Sequence, residues 1–189
     1  GLLRESLGIF RELDDWSRVA HALKSLGEVL VRRGQFENGL ALLESSSAIY
    51  DDLGQSYGVA TLILFLAEAR VHMGRYDEAR DDALRGATIT HENKHRWGEG
   101  FALLTNGMVA LVRGHGSDAL ATLQAAADIF SEIKHPENRA WVLGPLGLAA
   151  LRASNSALAQ QSVLHALQTG VDLGAFMAVM YALPAAALL

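Results

Sequence analysis

Gly34, Gly74 and Gly114 stand forty residues apart, and five residues after each comes another small residue, Gly39, Ala79 and Ala119. In the next copy of this register Ser154 takes the place of the glycine, and Ala159 follows it. A second small column runs through Gly27, Ala67, Gly107 and Gly147, preceded by Leu26, Leu66, Asn106 and Leu146. Downstream, Ile9, Ile49, Ile89 and Ile129 fall in step, beside Phe10, Tyr50, Thr90 and Phe130. A fixed period of this length marks a repeat array, in which each unit buries its apolar face only against its neighbours. Ile9 already belongs to a column, so the chain is expected to open inside a repeat and to be a piece of something longer.

Within each unit the apolar positions follow helical spacing: Leu23, Leu26 and Leu30, then Ile63, Leu66 and Ala69, then Leu103, Gly107 and Ala110. Alternating β-branched runs between hairpin turns are absent. Two helices per unit are therefore expected. The first helices cover roughly 16–33, 56–73, 96–113 and 137–153, and the second 36–53, 76–92, 117–133 and 156–173. Gly34, Gly74 and Gly114 are the turns inside hairpins, because glycine reaches left-handed backbone angles without a Cβ clash. Leu53-Gly54 and Leu173-Gly174 stop second helices, while Lys94 and Lys134 stand at that phase in the middle units. Ser117 with Asp118, and Asp77 with Glu78, are expected to serve the open N–H groups of the helices they begin. Pro136 suits the first position of a helix. Small residues at 79, 119 and 159 let paired helices approach closely.

A helix hairpin with a small residue at Gly27, Ala67, Gly107 and Gly147, Gly at the turn, and Gly or Ala five positions later resembles the tetratricopeptide repeat (TPR). The resemblance covers nearly the whole chain. It departs from the family in its period, forty against about 34, in Asn106 where Leu is expected, and in Ser154 where the turn Gly is expected. Units ending in FRELDD and IYDDLGQ also resemble the C-terminal sensor arrays of large bacterial signal-transduction ATPases and transcriptional regulators. The fold implied is all-α, a right-handed superhelical solenoid of antiparallel helix hairpins. One array spans 1–189: a partial repeat at 1–14, repeats near 15–54, 55–94, 95–134 and 135–174, and a partial repeat at 175–189.

In this family the first helix of each unit lines a concave groove. Carried over, the rule places His21, Lys24 and Glu28 there from the first unit, and Thr61, Phe65, Glu68 and His72 from the second. The third unit adds Phe101, Thr105 and Met108, and the fourth Trp141, Pro145, Leu148 and Arg152. Such a groove shifts from charged to aromatic and suits an extended peptide or a helix. The same aromatics are equally the material that fills gaps between long helices. Tyr57 and Trp97, forty apart, form either an aromatic ledge at the groove's edge or packing beneath the preceding turn. Pro145 withholds the N–H due to the Trp141 carbonyl, so a bend in that helix is expected.

The remaining sequence narrows the chemistry. Of the 189 residues 50% are apolar and 20% charged, as in a folded protein, and the net charge of −5 offers no general field for nucleic acid or anionic lipid. Zero cysteines exclude disulfides, thiolate metal sites and a Cys nucleophile, and a cytoplasmic location is the simplest reading. The start GLLRESLGIFRELDD does not read as a secretory signal. The most apolar segment, Ala175 to Leu189, contains Pro184 and falls short of the roughly 20 residues a membrane helix needs. It reads as an interior helix, apolar nearly all round, through which the chain is expected either to self-associate or to continue into further repeats. His91, His95 and His135 with Glu92 lack the ligand set of a zinc site. GxSxG, HExxH, GxxxxGK[ST] and GxGxxG do not occur. Ser45-Ser46-Ser47 reads as a small-residue packing surface, and Asp51-Asp52 and Asp81-Asp82 as a solvated outer face.

The expectation is thus a non-catalytic protein-interaction or scaffold module with a protein or peptide in its groove. No cofactor, metal, nucleic acid or membrane is expected. The sensing array of a multidomain bacterial regulator is the preferred context. A receptor for a sugar or metabolite at the aromatic end is the alternative, to be told apart by whether Trp97, Phe101 and Trp141 are exposed around a pocket.

Overall fold

The computed structural model describes residues 2–189 and every side chain among them except those of Leu3, Arg4, Arg32, Ser56 and Tyr57. The described residues form α1 (Leu2–Glu12), α2 (Trp16–Arg32), α3 (Phe36–Asp52), α4 (Ser56–His72), α5 (Tyr76–Glu92), α6 (Arg96–Val112), α7 (Gly116–Glu132), α8 (Pro136–Arg152), α9 (Ser156–Asp172) and α10 (Phe176–Ala186), with no strand among them. From α2 to α9 each helix has 17 residues, and each starts twenty after the last.

That regularity comes from one turn used throughout. Residues 14, 34, 54, 74, 94, 114, 134, 154 and 174 all have positive φ, between 52° and 82°. Around them the N–H three residues past the helix end reaches back to a carbonyl of its last turn, as in Gln35 to Leu30 (2.9 Å), Gln55 to Tyr50 (2.9 Å) and Asn155 to Ala150 (2.8 Å). This double closure is the Schellman motif, which satisfies the open carbonyls of a helix end. The side-chain columns thus repeat every forty residues while the backbone repeats every twenty. Lys94, Lys134, Ser154 and Asp14 adopt the left-handed conformation that glycine adopts at the other turns.

The helix starts correct the expectation for the caps. Ser117 lies inside α7 and Asp77 inside α5, two residues past the cap position, and the N-caps His115 and Arg75 make no side-chain cap bond. Acidic groups still occupy these first turns, where the positive end of the helix dipole favours them. True caps are Asp15, accepting from Arg18 N–H at 3.1 Å, Asn155, accepting from Leu158 N–H at 3.1 Å, and His135 Nδ1, accepting from Asn138 N–H at 3.4 Å. Pro136 opens α8, and the helix then runs unbroken through Pro145.

The chain divides into two compact units, Gly1–Lys94 and His95–Leu189. In the first, α2 pairs with α3 and α4 with α5, and α3 rests on α4. In the second, α6 pairs with α7 and α8 with α9, while α10 rests on both α8 and α9. The small columns explain how such long helices close. A Cβ on Gly27 would meet Leu43 Cγ at 2.8 Å, one on Gly107 Leu123 Cγ at 2.6 Å, and one on Gly147 Val163 Cγ2 at 2.7 Å. The glycine is the socket for a large residue sixteen positions on. In the second repeat the pair at the same register is Ala67 and Ala83, both fully buried, so one partner shrinks as the other grows. Leu43 and Leu123 are themselves wholly buried, each worth about 1.5–3 kcal/mol.

Two polar features sit in this packing. Ser46, fully buried, donates to the Ala20 carbonyl at 2.7 Å and ties α3 to α2. Asp82 departs from the solvated face expected of it: its side chain is 17% exposed and pairs with Arg70, whose guanidinium also meets Glu44 at 3.3 Å and Glu78 at 3.6 Å. Asp51, Asp52 and Asp81 are exposed as expected.

Candidate binding groove

In the first unit, α2 and α4 present their expected groove residues together. Lys24 and Glu28, one helical turn apart on α2, form an ion pair at 3.4 Å with side chains 20% and 18% exposed. The Lys24 ammonium also lies 5.8 Å from the centre of the Phe65 ring on α4, within cation–π range. Glu28, Phe65 and Glu68 line a small recess over Val31 and Leu43. Towards the other end of the two helices a cavity of about 520 Å³ opens, lined by His21 and Lys24 from α2 and by Gly58 and Thr61 from α4. Lys24 belongs to the wall of the larger cavity and reaches the ring that lines the smaller recess. His72 sits at the far end of α4, exposed, and stacks on Phe36 with ring centres 5.6 Å apart and 13° between planes.

The larger cavity is also lined by Tyr50, Gln55 and Asn93. Tyr50 can lie flush with α4 because residue 58 is glycine: a Cβ there would meet the Tyr50 ring at 2.8 Å. Burial pushes the Tyr50 phenol above its ordinary value, so it stays a neutral hydroxyl. Gln55 exchanges hydrogen bonds with Ser17 at 3.3–3.4 Å, and the Asn93 amide donates to the Ile89 carbonyl at 2.7 Å. These three come from helix ends and turns, and a rule that reads the groove from first helices alone cannot find them. The one sequence signal was the column holding Phe10, Tyr50, Thr90 and Phe130.

The second unit uses its expected groove residues differently. Phe101 and Thr105 are each 1% exposed and Trp141 7%. Thr105 donates to the Phe101 carbonyl at 3.1 Å, a bond within its own helix. Met108 and Leu148 are half-buried and Pro145 buried. Arg152 is exposed at the end of α8, and its guanidinium donates to the Leu111 carbonyl at the end of α6. The large aromatics at the expected aromatic end therefore lie in the packing between helices. Tyr57, one half of the expected ledge, lies outside the described side chains. Trp97, the other half, stacks on Phe101 at 5.2 Å and donates from Nε1 to Asn138 Oδ1 at 3.3 Å, which makes it packing. His95, 5.9 Å from Trp97, has its pKa lowered by burial, against the pull of Glu99.

The first unit carries eleven Lys or Arg and fifteen Asp or Glu, a net −4 of the chain's −5. Among the described residues no three His, Asp or Glu are grouped to hold a metal ion, and no helix is long and apolar enough to cross a membrane.

Comparison with known proteins bears on this geometry. Residues 18–90 match the family described as Tetratricopeptide repeat, a span covering both hairpins of the first unit. Curated proteins give no significant match. Among solved structures, BtubC (BKLC) from P. vanneervenii is similar at 16% identity with a TM-score of 0.70, over 92% of this chain and 72% of that one. A point variant of a Podosopora anserina chain of kinesin light chain type, with nearly identical TPR-like repeats, is similar at 16% identity with a TM-score of 0.54, over 92% of this chain and 85% of that one. The chain thus has the all-α fold of TPR-like helix-hairpin arrays, and over residues 18–90 it also has the sequence pattern of the tetratricopeptide repeat.

Proposed function

We propose that this protein is a non-catalytic interaction module that holds a segment of a partner protein in the groove between α2 and α4. The observation that carries the reading is the continuous wall from His21 and Thr61, through Lys24, to Phe65, Glu28 and Glu68. TPR-like repeats in general mediate protein–protein contact, and an elongated, half-open wall with one aromatic anchor suits an extended peptide. In the second unit taken by itself, Met108 and Arg152 remain candidate partner contacts, and Phe101, Thr105 and Trp141 pack beneath the surface. The array serves as the sensing part of a larger regulatory protein in the cytoplasm, a context supported by its resemblance to such sensor arrays. A specific partner should be recovered from a lysate of the source cells by the wild-type chain and by Leu84→Ala, which alters the outer face. The same partner should be lost at least tenfold with Phe65→Ala. Equal recovery by all three would remove the groove reading.

A second contact joins copies of the chain through α10. Met180 and Leu183 are 44% and 47% exposed, yet at their registers Ala20 and Leu23 of α2, Ala60 and Ile63 of α4 and Ala140 and Leu143 of α8 are buried, and in α6 Gly100 is buried and Leu103 half-buried. Phe176, 65% exposed, continues them at helical spacing as an exposed apolar stripe of α10. A second copy's α10 offers the same stripe, and an isologous pair is the commonest way for such a face to close.

A further inference from the structure

We infer that the first unit holds a second binding site, for a small zwitterion of the amino-acid class, in a cavity beside the α2–α4 groove. Tyr50, Gln55 and Asn93 border the groove cavity and also a cavity of about 450 Å³ formed by the end of α3, the turn after it, the start of α4 and the C-terminal half of α5. That volume is in the range of small-molecule pockets. Tyr50 and Val59, both buried, and half-buried Ile89 give it an apolar lining.

Charge of both signs completes it. Along α5, Arg85, Ile89 and Glu92 follow one another at four- and three-residue spacing, so one face of the helix runs from cation through apolar side chain to anion. Arg85 and Glu92 stand two turns apart, about 10 Å of helix rise. Asp51 adds a second carboxylate from α3. All three side chains are exposed, and among the described residues neither carboxylate is ion-paired with Arg85. Arg85 also draws on Asp82, one turn back on α5, but that carboxylate is already paired with Arg70. A ligand with only a carboxylate would meet Arg85 in the field of two acids, and one with only an ammonium would meet the acids in the field of Arg85. A zwitterion finds a partner at each end and lays an apolar side chain on Val59 and Ile89. Exposed ion pairs contribute little each, so the site saturates in the millimolar range.

The test titrates three compounds into the full chain, read by methyl NMR at Val59 and Ile89: L-leucine, N-acetyl-L-leucine, which lacks the cation, and L-leucinamide, which lacks the anion. L-Leucine should give saturable shifts, and each blocked form should bind about three- to fivefold more weakly. Arg85→Gln should abolish the advantage of leucine over leucinamide and keep its advantage over N-acetylleucine. Asp51→Asn combined with Glu92→Gln should do the reverse. Asp52→Asn, exposed and outside the cavity lining, should change neither. Equal binding of the three compounds, or no saturable shift from leucine at tens of millimolar, would overturn the inference. The peptide-groove reading has its own test and stands in either case.

Discussion

Gly144 of α8 lies against the backbone of Tyr181 in α10: a Cβ on Gly144 would stand 2.4 Å from the Tyr181 carbonyl carbon and oxygen. At the sockets of Gly27, Gly107 and Gly147 the nearest atom belongs instead to a buried Leu or Val side chain. Alanine gains about 1 kcal/mol of helix propensity over glycine in either place. Gly107→Ala must displace the wholly buried Leu123 and should cost about 1 kcal/mol net of that gain. Gly144→Ala must push α10 off α8 and should cost about 2–3 kcal/mol net of that gain. Urea unfolding of the two variants checks this, and equal midpoints would contradict the close approach.

The second prediction concerns the turns. Lys94, Lys134 and Ser154 hold φ of 54°, 54° and 58°, where a side chain costs about 1–2 kcal/mol relative to glycine. Replacing each by Gly should stabilise the protein by about 0.5–1 kcal/mol after the added entropy of the unfolded chain. Gly34→Ala, Gly74→Ala and Gly114→Ala should lose about 1 kcal/mol each, since nothing lies within 4 Å of their absent Cβ and only backbone strain acts. Thermal melts of the six variants should fall into these two groups.

How far the sequence could be read follows from the same turns. Glycine at 34, 74 and 114 announces a left-handed residue because few others tolerate one, so the hairpins and their bounds were legible. Lysine announces nothing of the kind: the phase of Lys94 and Lys134 was readable from Gly54 and Gly174, but their left-handed conformation appears only in the backbone. Lys24, Glu28, Phe65 and Glu68 follow from the rule that first helices of such repeats line a groove, and helical period accounts for their standing on shared faces of α2 and α4. Phe101 and Trp141 were harder, since a large aromatic on a helix face reads the same whether it meets solvent or another helix. Asp82 failed as a surface acid for a related reason: its partner Arg70 is on a different helix, and no local pattern joins them.

Asp82 gives a prediction about pH. Its pKa is raised, first by burial, and Arg70 pulls it back down. A carboxyl with a raised folded pKa favours the folded state most below its unfolded value, and that contribution is lost as pH rises through the folded value. In Arg70→Met the opposing pull is gone and the folded pKa rises further. The stability difference between wild type and Arg70→Met should therefore widen from pH 4 to pH 7, as read by urea titration at each pH. Asp82→Asn in the Arg70→Met background should remove most of that widening.

Exposure on α10 makes a prediction about association. Met180→Lys and Leu183→Lys place charge on the stripe with Phe176 and should shift the chain towards monomer in concentration-series solution scattering. Wild type should grow in apparent mass over the same range. A wild-type monomer at every concentration would contradict the contact proposed for this helix.

The most direct measurement of the groove places a photo-crosslinking amino acid at Thr61, on the wall shared with His21 and Lys24, and separately at Leu84, 53% exposed on α5. Both chains are irradiated with a partner recovered by the wild type. Partner adducts should form from position 61 and be lost when Phe65→Ala is added, while position 84 gives none. Adducts from position 84 with none from position 61 would show that the partner does not enter the groove.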